Sequence, residues 1–256
     1  MSRINLNADI GESFGKYVIG NDAALMKIIA SANIACGFHA GDPTVMTRTV
    51  AMAKENGVSI GAHPGFNDLW GFGRRRIQMD PRDLEYLITY QIGALQAIAH
   101  GASAKVTHVK PHGALNNMAH VDAEIAAAIA RGIRAADREL IFVANACSEM
   151  VTAGRAAGLR VAEEAYVDRT YDDSGLMTSR AQDDAIIRDP AVAARQVVSF
   201  IEEQAVITRS GRRLPSRICT FCTHGDEPTA VALAAHVRDE LARRGIDVVP
   251  LTELDL

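Results

Sequence analysis

Short apolar runs rich in branched residues alternate with longer amphipathic, alanine-rich stretches along almost the whole chain. Each run has the length of a β-strand and each stretch that of a helix, which is the pattern of βα units around a parallel sheet. The predicted strands are Ile4–Asp9, Asn33–Cys36, Val58–Ala62, Lys105–Val109, Leu140–Ala144, Leu159–Glu163 and Arg217–Cys222, with a late run, Ile246–Val249, as a candidate eighth. The pattern therefore predicts an α/β fold.

The predicted helix boundaries carry local signals. Asp-Pro pairs at residues 42–43, 80–81 and 189–190 place a capping carboxylate before a proline in the first turn. We expect helices at 22–30, 43–55, 81–99, 122–135, 148–156, 190–204 and 228–243. Two polar stretches, 64–79 and 166–187, are expected to be irregular, and long loops in compact domains are often functional.

Composition narrows the class of protein. The chain has 256 residues, of which 48% are hydrophobic and 23% charged, and α/β barrels of this length commonly fold as one unit, so we expect a single domain over residues 1–256. A formal net charge of -4 without a basic block argues against nucleic-acid binding. No signal-peptide pattern or membrane-spanning stretch is found, so we expect a cytoplasmic protein. Four cysteines are too few for a disulfide framework at this length.

Polar residues concentrate at the carboxyl ends of the predicted strands, where barrel enzymes place their active sites. In the first strand the period of two puts Asn7 and Asp9 on one face, and Glu12 follows. An exposed edge strand is the alternative explanation of this polar face.

The next two strands repeat the pattern. Asn33 and His39 belong to the second strand and its loop, and His63 follows the third strand. Two histidines at successive strand ends indicate a site more strongly than one. Asp42 is a site candidate that can equally serve only as the cap of the following helix.

Cationic residues come from the next two segments. Arg74 and Arg75 follow two glycines and can clamp a carboxylate or phosphate, since guanidinium groups pair with planar anions, although a solvated basic surface is the alternative. In the fourth strand His108, Lys110 and His112 share one face, and such a trio can bind an anion or move protons.

Four later residues complete the candidates. Asp168 and Arg169 open the second irregular stretch, either as site residues or as a surface ion pair, and His224 and Asp226 follow the last clear strand. The sequence contains no complete phosphate loop, no GxSxG elbow and no GxGxxG fingerprint. Carboxylates, histidines and one lysine therefore support hydrolytic or metal-assisted chemistry.

Six ordered motifs resemble the LamB/YcsF family, the A subunits of bacterial ATP-dependent 5-oxoprolinases, over nearly the full length. The motifs are NLNADIGE at 5–12, SANIACGFHAGD at 31–42, GAHPG at 61–65, GFGRR at 71–75, HVKPHGAL at 108–115 and HGD at 224–226. The chain departs from the family pattern at Asn116, where a tyrosine is usual.

The resemblance implies a distorted seven-stranded (βα) TIM-like barrel, similar to the polysaccharide deacetylase barrels. It implies ring opening of 5-oxo-L-proline to L-glutamate coupled to ATP hydrolysis, with partner subunits B and C contributing to the activation step. ATP would thus be used by the complex, and the partners would include a small-molecule substrate but no nucleic acid or membrane; a homo-oligomer stays open.

Residue roles follow from the resemblance as hypotheses. Asp9 or Glu12, with His39 and His63, would position or deprotonate the attacking water. Lys110 and His112 would stabilise the oxyanion or protonate the leaving nitrogen. The expected substrate-binding residues are Asn7, Asn33, Asp42, Arg74, Arg75, Asp168, Arg169, His224 and Asp226. The related deacetylase barrels use Asp and His ligands, so a divalent metal on Asp9, His39 and His63 is a further expectation.

Two other functions remain open at this point. A metal-dependent deacetylase or amidohydrolase would work alone, without ATP, and would lose activity on chelation. A non-catalytic binding subunit would capture a small carboxylate without turning it over.

Overall fold

Seven parallel strands close into a barrel in the computed structural model, which describes residues 3–224 and 229–256. The barrel strands are β1 (Arg3–Ile10), β2 (Ser31–Ala35), β3 (Ser59–His63), β4 (Val106–Val109), β5 (Ile141–Asn145), β6 (Val161–Tyr166) and β9 (Ile218–Thr223). Each strand pairs with the next in that order, and β1 pairs with both β2 and β9, which closes the sheet. The predicted seven-stranded α/β barrel is confirmed.

Three short strands lie outside the barrel wall. The strands β7 (Ala205–Ile207) and β8 (Arg213–Pro215) form an antiparallel hairpin that the sequence pattern did not predict. The candidate eighth strand is β10 (Asp247–Val248), which pairs only with the first residues of β1. It therefore extends one side of the barrel without entering it.

Helices pack against the outside of the barrel. They are α1 (Asp22–Leu25), α2 (Pro43–Glu55), α3 (Pro81–Gly101), α4 (Gly113–Val121), α5 (Ala123–Ala136), α6 (Glu149–Ala156), α7 (Pro190–Glu203) and α8 (Ala230–Arg243), with a 3₁₀ turn at Leu251–Glu253. Within the part of the chain that the structure describes, no helix has both the length and the apolarity to span a bilayer.

The predicted caps are present, but two helices differ from the prediction. Asp42 accepts hydrogen bonds from the backbone N–H groups of Thr44 and Val45, as a capping carboxylate does. The helix predicted over 22–30 is only the single turn α1, because Ala30 N already donates to Leu6 O beside β1. The helix α4 was not predicted, because it begins at Gly113 without a side-chain cap bond.

The barrel interior is polar, and β1 is not an exposed edge strand. It is paired on both sides, and Asn5 and Asn7 are buried. Asn5 Nδ2 donates to Ser31 Oγ at 2.8 Å, and Thr220 Oγ1 donates to Asn5 Oδ1 at 2.8 Å. Asn7 Nδ2 donates to Glu164 Oε1 at 2.9 Å. The edge-strand explanation is therefore wrong, since the polar face of β1 fills the barrel and satisfies its own hydrogen bonds.

One glycine in β3 makes room for a buried ring. Gly61 pairs in register with His108 of β4. A Cβ at residue 61 would lie 2.2 Å from His108 Cδ2 and Nε2, closer than any real contact. The glycine is thus required by packing and not by its backbone conformation.

We expect Gly61→Ala to lower the free energy of unfolding by about 1–3 kcal/mol, because the added methyl overpacks the barrel. Gly93→Ala is the matched control: Gly93 is exposed on α3 with nothing within 4 Å of a new Cβ. There the same change should raise the free energy of unfolding by about 0.5–1 kcal/mol through helix propensity. Urea unfolding of both variants tests this, and equal effects would contradict it.

His108 is a structural histidine of the barrel and not a member of the cavity wall. Its ring is buried, and Nδ1 lies 2.9 Å from Thr107 Oγ1. Burial, together with the charges of Lys110 and His63, lowers the pKa of His108 to about 3. The trio predicted for the fourth strand is therefore divided, with His108 below the site and Lys110 and His112 in it.

This burial predicts acid sensitivity. The unfolded chain protonates His108 near pH 6.5 while the folded chain keeps it neutral, so the unfolded state binds more protons and stability falls as pH drops from about 6.5 towards 3. His108→Gln should make the dependence of the unfolding free energy on pH shallower by up to about 1.4 kcal/mol per pH unit in that window. Urea titrations at several pH values measure the slope. Identical slopes for both proteins would refute the assignment.

Candidate active site

A cavity of about 540 Å³ opens at the carboxyl ends of the barrel strands. Its wall combines acidic, basic and amide side chains: Asp9, His63, Arg74, Arg76, Lys110, His112, Asn116, Tyr166, Arg169, Arg180 and His224. A larger cavity, of about 690 Å³, is lined by the start of β1 and the last residues of the chain, away from Lys110 and the histidines. The smaller cavity is therefore the candidate active site.

Lys110 is the charge centre of this site. Its Nζ lies 2.9 Å from Asp9 Oδ1 and 3.1 Å from Glu164 Oε2, and it donates to Cys222 Sγ at 2.9 Å. Burial opposes the ammonium form, but the carboxylates outweigh it and hold the pKa of Lys110 well above its ordinary value. The buried ammonium thus stays charged and links β4 to β1, β6 and β9. It lies 4.9 Å from the centre of the Tyr166 ring.

The same contacts keep Asp9 ionised. Burial alone would raise its pKa, but the neighbouring His63 and Lys110 hold the pKa of Asp9 well below its ordinary value. Asn33 Nδ2 donates to Asp9 Oδ1 at 2.9 Å and to Asn7 Oδ1 at 2.7 Å, so both predicted amides lie beneath the carboxylate. Asn7 and Asn33 therefore position Asp9 from inside the barrel.

Glu164 is the second carboxylate beside Lys110, and burial raises its pKa. It comes from β6, where the sequence pattern singled out no residue. The sequence does contain a signal for this residue, because a charged pair, Glu163 and Glu164, interrupts an otherwise apolar strand. Glu163 faces outward to Arg155, and Glu164 faces Lys110.

Three histidines and Glu12 form the other half of the site. His63 Nδ1 donates to Lys110 O at 2.7 Å and His112 Nε2 donates to Phe72 O at 2.8 Å, because a carbonyl oxygen can only accept. The remaining nitrogens, His63 Nε2 and His112 Nδ1, face each other at 3.0 Å. Glu12 Oε1 lies 3.4 Å from His112 Nδ1.

His39 completes this group. Its ring stacks on that of His112, with centroids 3.6 Å apart and planes at 6°, and its Nε2 lies 3.2 Å from Glu12 Oε1. Burial and the neighbouring imidazoles hold the pKa values of His39 and His112 well below the ordinary value for histidine. Both rings are therefore neutral near pH 7.

These four side chains could together hold a metal ion. The ligand atoms of Glu12, His39, His63 and His112 lie within 4.8 Å of one another, and all four residues are buried. Asp9, which the sequence prediction grouped with His39 and His63, is not part of that set. It lies 3.4 Å from His63 Nε2 and is engaged by Lys110.

The loop after β3 packs directly over the histidines. A Cβ at Gly73 would lie 2.7 Å from His39 Cβ and 2.8 Å from His112 Cδ2, and Gly73 has φ +63°. Both the close approach and the left-handed backbone therefore require glycine. The same loop carries Phe72, whose carbonyl fixes the tautomer of His112.

The two predicted arginines of this loop have different positions. Arg74 lines the cavity, and its guanidinium lies 5.1 Å from the centre of the Phe72 ring. Arg75 is 66% exposed and donates from Nε to Asp68 Oδ1 at 2.8 Å. Arg75 is therefore bound to the loop's own carboxylate, and the structure brings Arg76 to the cavity wall instead.

The later candidates are only partly in the cavity. Asp168 is buried and bonded to His224 Nδ1, with its Oδ2 at 2.8 Å, so it orients a cavity histidine from behind. Arg169 lines the cavity and donates from Nε to Ala185 O, so the surface ion-pair explanation is wrong. Asp42 caps α2 and bonds Gly15 N outside the cavity. Asp226 lies outside the described residues.

Known proteins resemble this chain over its whole length. Residues 4–255 match the LamB/YcsF family. A protein of Rhodopseudomonas palustris (strain BisB5), named as the A subunit of 5-oxoprolinase, is 52% identical over 249 residues, covering 97% of this chain and 98% of its own. A protein of the same name from Azoarcus sp. (strain BH72) is 48% identical, covering 99% of both chains.

Solved structures agree with the fold. The crystal structure of the lactam utilization protein from Thermus thermophilus has a TM-score of 0.91 and 40% identity, covering 97% of this chain and 100% of its own. The catalytic domain of a peptidoglycan N-acetylglucosamine deacetylase from Eubacterium rectale, at TM-score 0.53 and 12% identity, covers 98% of this chain and 89% of its own and shares the fold alone. The expected likeness to deacetylase barrels is confirmed. The chain belongs to the LamB/YcsF family.

Proposed function

We propose that this chain is the A subunit of an ATP-dependent 5-oxoprolinase, which opens the ring of 5-oxo-L-proline to give L-glutamate. The observation that carries the proposal is the identity of about half of all residues, over the full length, to proteins named as the A subunit of 5-oxoprolinase. The cluster of ionised and neutral acid–base groups at the barrel mouth supports a hydrolytic role.

The cavity suits a small anionic lactam. Arg74 and Arg76 line its wall and supply guanidinium groups for the substrate carboxylate. Arg169 also lines the wall, but its guanidinium donates to Ala185 O and Thr178 O. Asn116, which is buried in the wall, offers an amide that can hydrogen-bond a ring N–H or carbonyl. Of the two arginines expected to bind the carboxylate, Arg74 takes this role in the proposal, because Arg75 is held by Asp68.

Asp9 is the carboxylate best placed to position or deprotonate the attacking water. It is kept ionised by Lys110 and lines the cavity next to His63 Nε2. A carboxylate beside an imidazole can accept a proton from water and pass it on. The task of Lys110 in this scheme is to hold Asp9 in its anionic form, since its Nζ is already engaged by Asp9, Glu164 and Cys222.

His112 is a poor proton donor to the leaving nitrogen. Burial lowers its pKa, and its one N–H is donated to Phe72 O. The cationic groups left to stabilise the developing oxyanion are the arginines of the wall.

In this proposal ATP activates the lactam only in the enzyme assembled with its partner subunits. A lactam is a resonance-stabilised amide, and transfer of the γ-phosphoryl group to its oxygen makes the ring carbon a better electrophile for water. Attack by water and cleavage of the C–N bond then give an acyl phosphate with a free amine, and a second water hydrolyses the acyl phosphate. One ATP and two waters thus leave glutamate, ADP and phosphate. The sequence has no complete phosphate loop, which supports placing the phosphoryl-transfer step with the partner subunits B and C.

The deciding experiment measures glutamate released from 5-oxoproline by the purified chain, with and without ATP and subunits B and C, each with and without EDTA. We expect release only in the complete mixture with ATP. Asp9→Asn should reduce that turnover by about 100-fold or more, because the base is lost. The control is Asp239→Asn, which changes an exposed carboxylate on α8 and should leave turnover unchanged.

Release by the chain alone, abolished by EDTA, would replace this proposal with the stand-alone metal amidohydrolase that the histidine cluster also fits. Binding of 5-oxoproline with no turnover in any mixture would point to the non-catalytic binding subunit.

The two neighbouring arginines give a sharper test of substrate binding. Arg74→Gln should raise KM for 5-oxoproline in the complete mixture by about 10-fold, because a charge-assisted contact in the cavity is lost. Arg75→Gln, which removes the same charge one residue away, should leave KM nearly unchanged since Arg75 is paired outside the cavity. Equal effects of the two changes would contradict the placement of the carboxylate at Arg74.

A further inference from the structure

Two buried nitrogens of the histidine cluster, His63 Nε2 and His112 Nδ1, point at each other. His63 and His112 each spend one ring N–H on a backbone carbonyl, of Lys110 and Phe72. In neutral rings the other nitrogens, His63 Nε2 and His112 Nδ1, are then both acceptors, and they lie 3.0 Å apart. Two lone pairs at this distance repel each other, so the arrangement requires a positive centre beside them.

The carbonyl bonds resemble the way proteins hold metal-ligating histidines. An acceptor bonded to one ring nitrogen fixes the tautomer and turns the other nitrogen towards the ion. Here the two acceptors come from rigid parts of the site, the strand end of β4 and the glycine-bounded loop at Gly73. His63 Nε2 and His112 Nδ1 are therefore preorganised for a ligand.

Two further donors converge on the same point. His39 is stacked on His112, and the nitrogen that it turns towards Glu12 is Nε2, while its buried Nδ1 lies against the backbone at Gly65. Glu12 Oε1 lies 3.2 Å from His39 Nε2 and 3.4 Å from His112 Nδ1. The set thus offers three imidazole nitrogens and one carboxylate oxygen.

We propose that Glu12, His39, His63 and His112 bind one divalent transition-metal ion of the zinc type. Three nitrogen donors with one oxygen suit Zn²⁺ and its first-row neighbours, whereas Mg²⁺ and Ca²⁺ prefer oxygen ligands throughout. His63 and His112 line the cavity, so an ion on this set is reachable from solvent and substrate. Asp9 is not one of the four converging ligands: Lys110 and Asn33 both bind its Oδ1, and its Oδ2 lies 3.4 Å from His63 Nε2.

Such an ion would supply a Lewis acid that lowers the pKa of a bound water. That use of the ion rests on the proposed hydrolytic function, but the ion's binding does not. The binding experiment therefore contains no ATP, no partner subunits and no 5-oxoproline.

The test begins with the purified chain, stripped of metal by a chelator and dialysed into metal-free buffer. Calorimetric titration with Zn²⁺ should show one ion per chain, and Co²⁺ should produce visible d–d absorption typical of mixed nitrogen and oxygen ligands. Added Zn²⁺ should also raise the melting temperature of the stripped protein in a concentration-dependent way.

Variants distinguish Zn²⁺ binding at this site from adventitious binding elsewhere on the protein. Glu12→Gln and His112→Gln should each weaken Zn²⁺ binding by about 100-fold or more and remove the rise in melting temperature. His100→Gln, on the exposed face of α3, and His120→Gln, a buried histidine on α4, are matched controls that should bind as the wild type does.

Two outcomes would overturn the proposal. One is a stripped wild-type chain that binds neither Zn²⁺ nor Co²⁺ while remaining folded by circular dichroism, in which case the positive centre is a proton shared by His63 and His112. The other is unchanged binding in folded Glu12→Gln and His112→Gln. Neither outcome bears on whether the assembled enzyme hydrolyses 5-oxoproline, so the two proposals fail independently.

Discussion

The buried ammonium group of Lys110 is the interaction on which the rest of the site depends. It reaches from the end of β4 to carboxylates on β1 and β6 and a thiol on β9, and so joins four strands across the barrel. Desolvation of such charges offsets most of their attraction, so a buried ion pair adds little net stability compared with apolar residues of the same size. What the arrangement secures is an ionised Asp9 at the cavity wall.

The polar interior of the barrel follows from that charge. A lysine and two carboxylates cannot lie in an apolar core without hydrogen-bond partners, and the barrel provides amide partners for the carboxylates from Asn7 and Asn33. Asn7 bonds Glu164, while Asn33 bonds both Asn7 and Asp9. The inward face of β1 is therefore a support for the site, and the outward face packs with the hydrophobic core.

The histidine cluster is held by backbone contacts and not by buried charges. Its orientation comes from backbone carbonyls and from a loop that approaches so closely that only glycine fits at residue 73. Lys110 connects the two halves of the site, because its ammonium holds Asp9 and its carbonyl holds His63. Displacement of this one residue would disturb both the charge state of the carboxylate and the tautomer of the imidazole.

Sequence by itself determined the barrel strands, three helix starts and most of the residue types that meet at the candidate site. Hydrophobic periodicity located the seven barrel strands to within a few residues, and the Asp-Pro pairs located three helix starts, because both signals are local. The period of two placed Asn7 and Asp9 on a common face, and positions at strand ends indicated His39, His63, Lys110 and His112.

Only the tertiary structure decided which of these groups meet. Closure of the barrel through the pairing of β1 with β9 places Cys222 beside Lys110, and no local pattern encodes that pairing. Adjacent residues were likewise separated by packing: Glu164 faces Lys110 while Glu163 faces outward, and Arg74 lines the cavity while Arg75 pairs with Asp68. Periodicity predicts that neighbouring side chains lie on opposite faces of a strand. Which of the two faces is directed into the barrel depends on contacts between segments far apart in the chain.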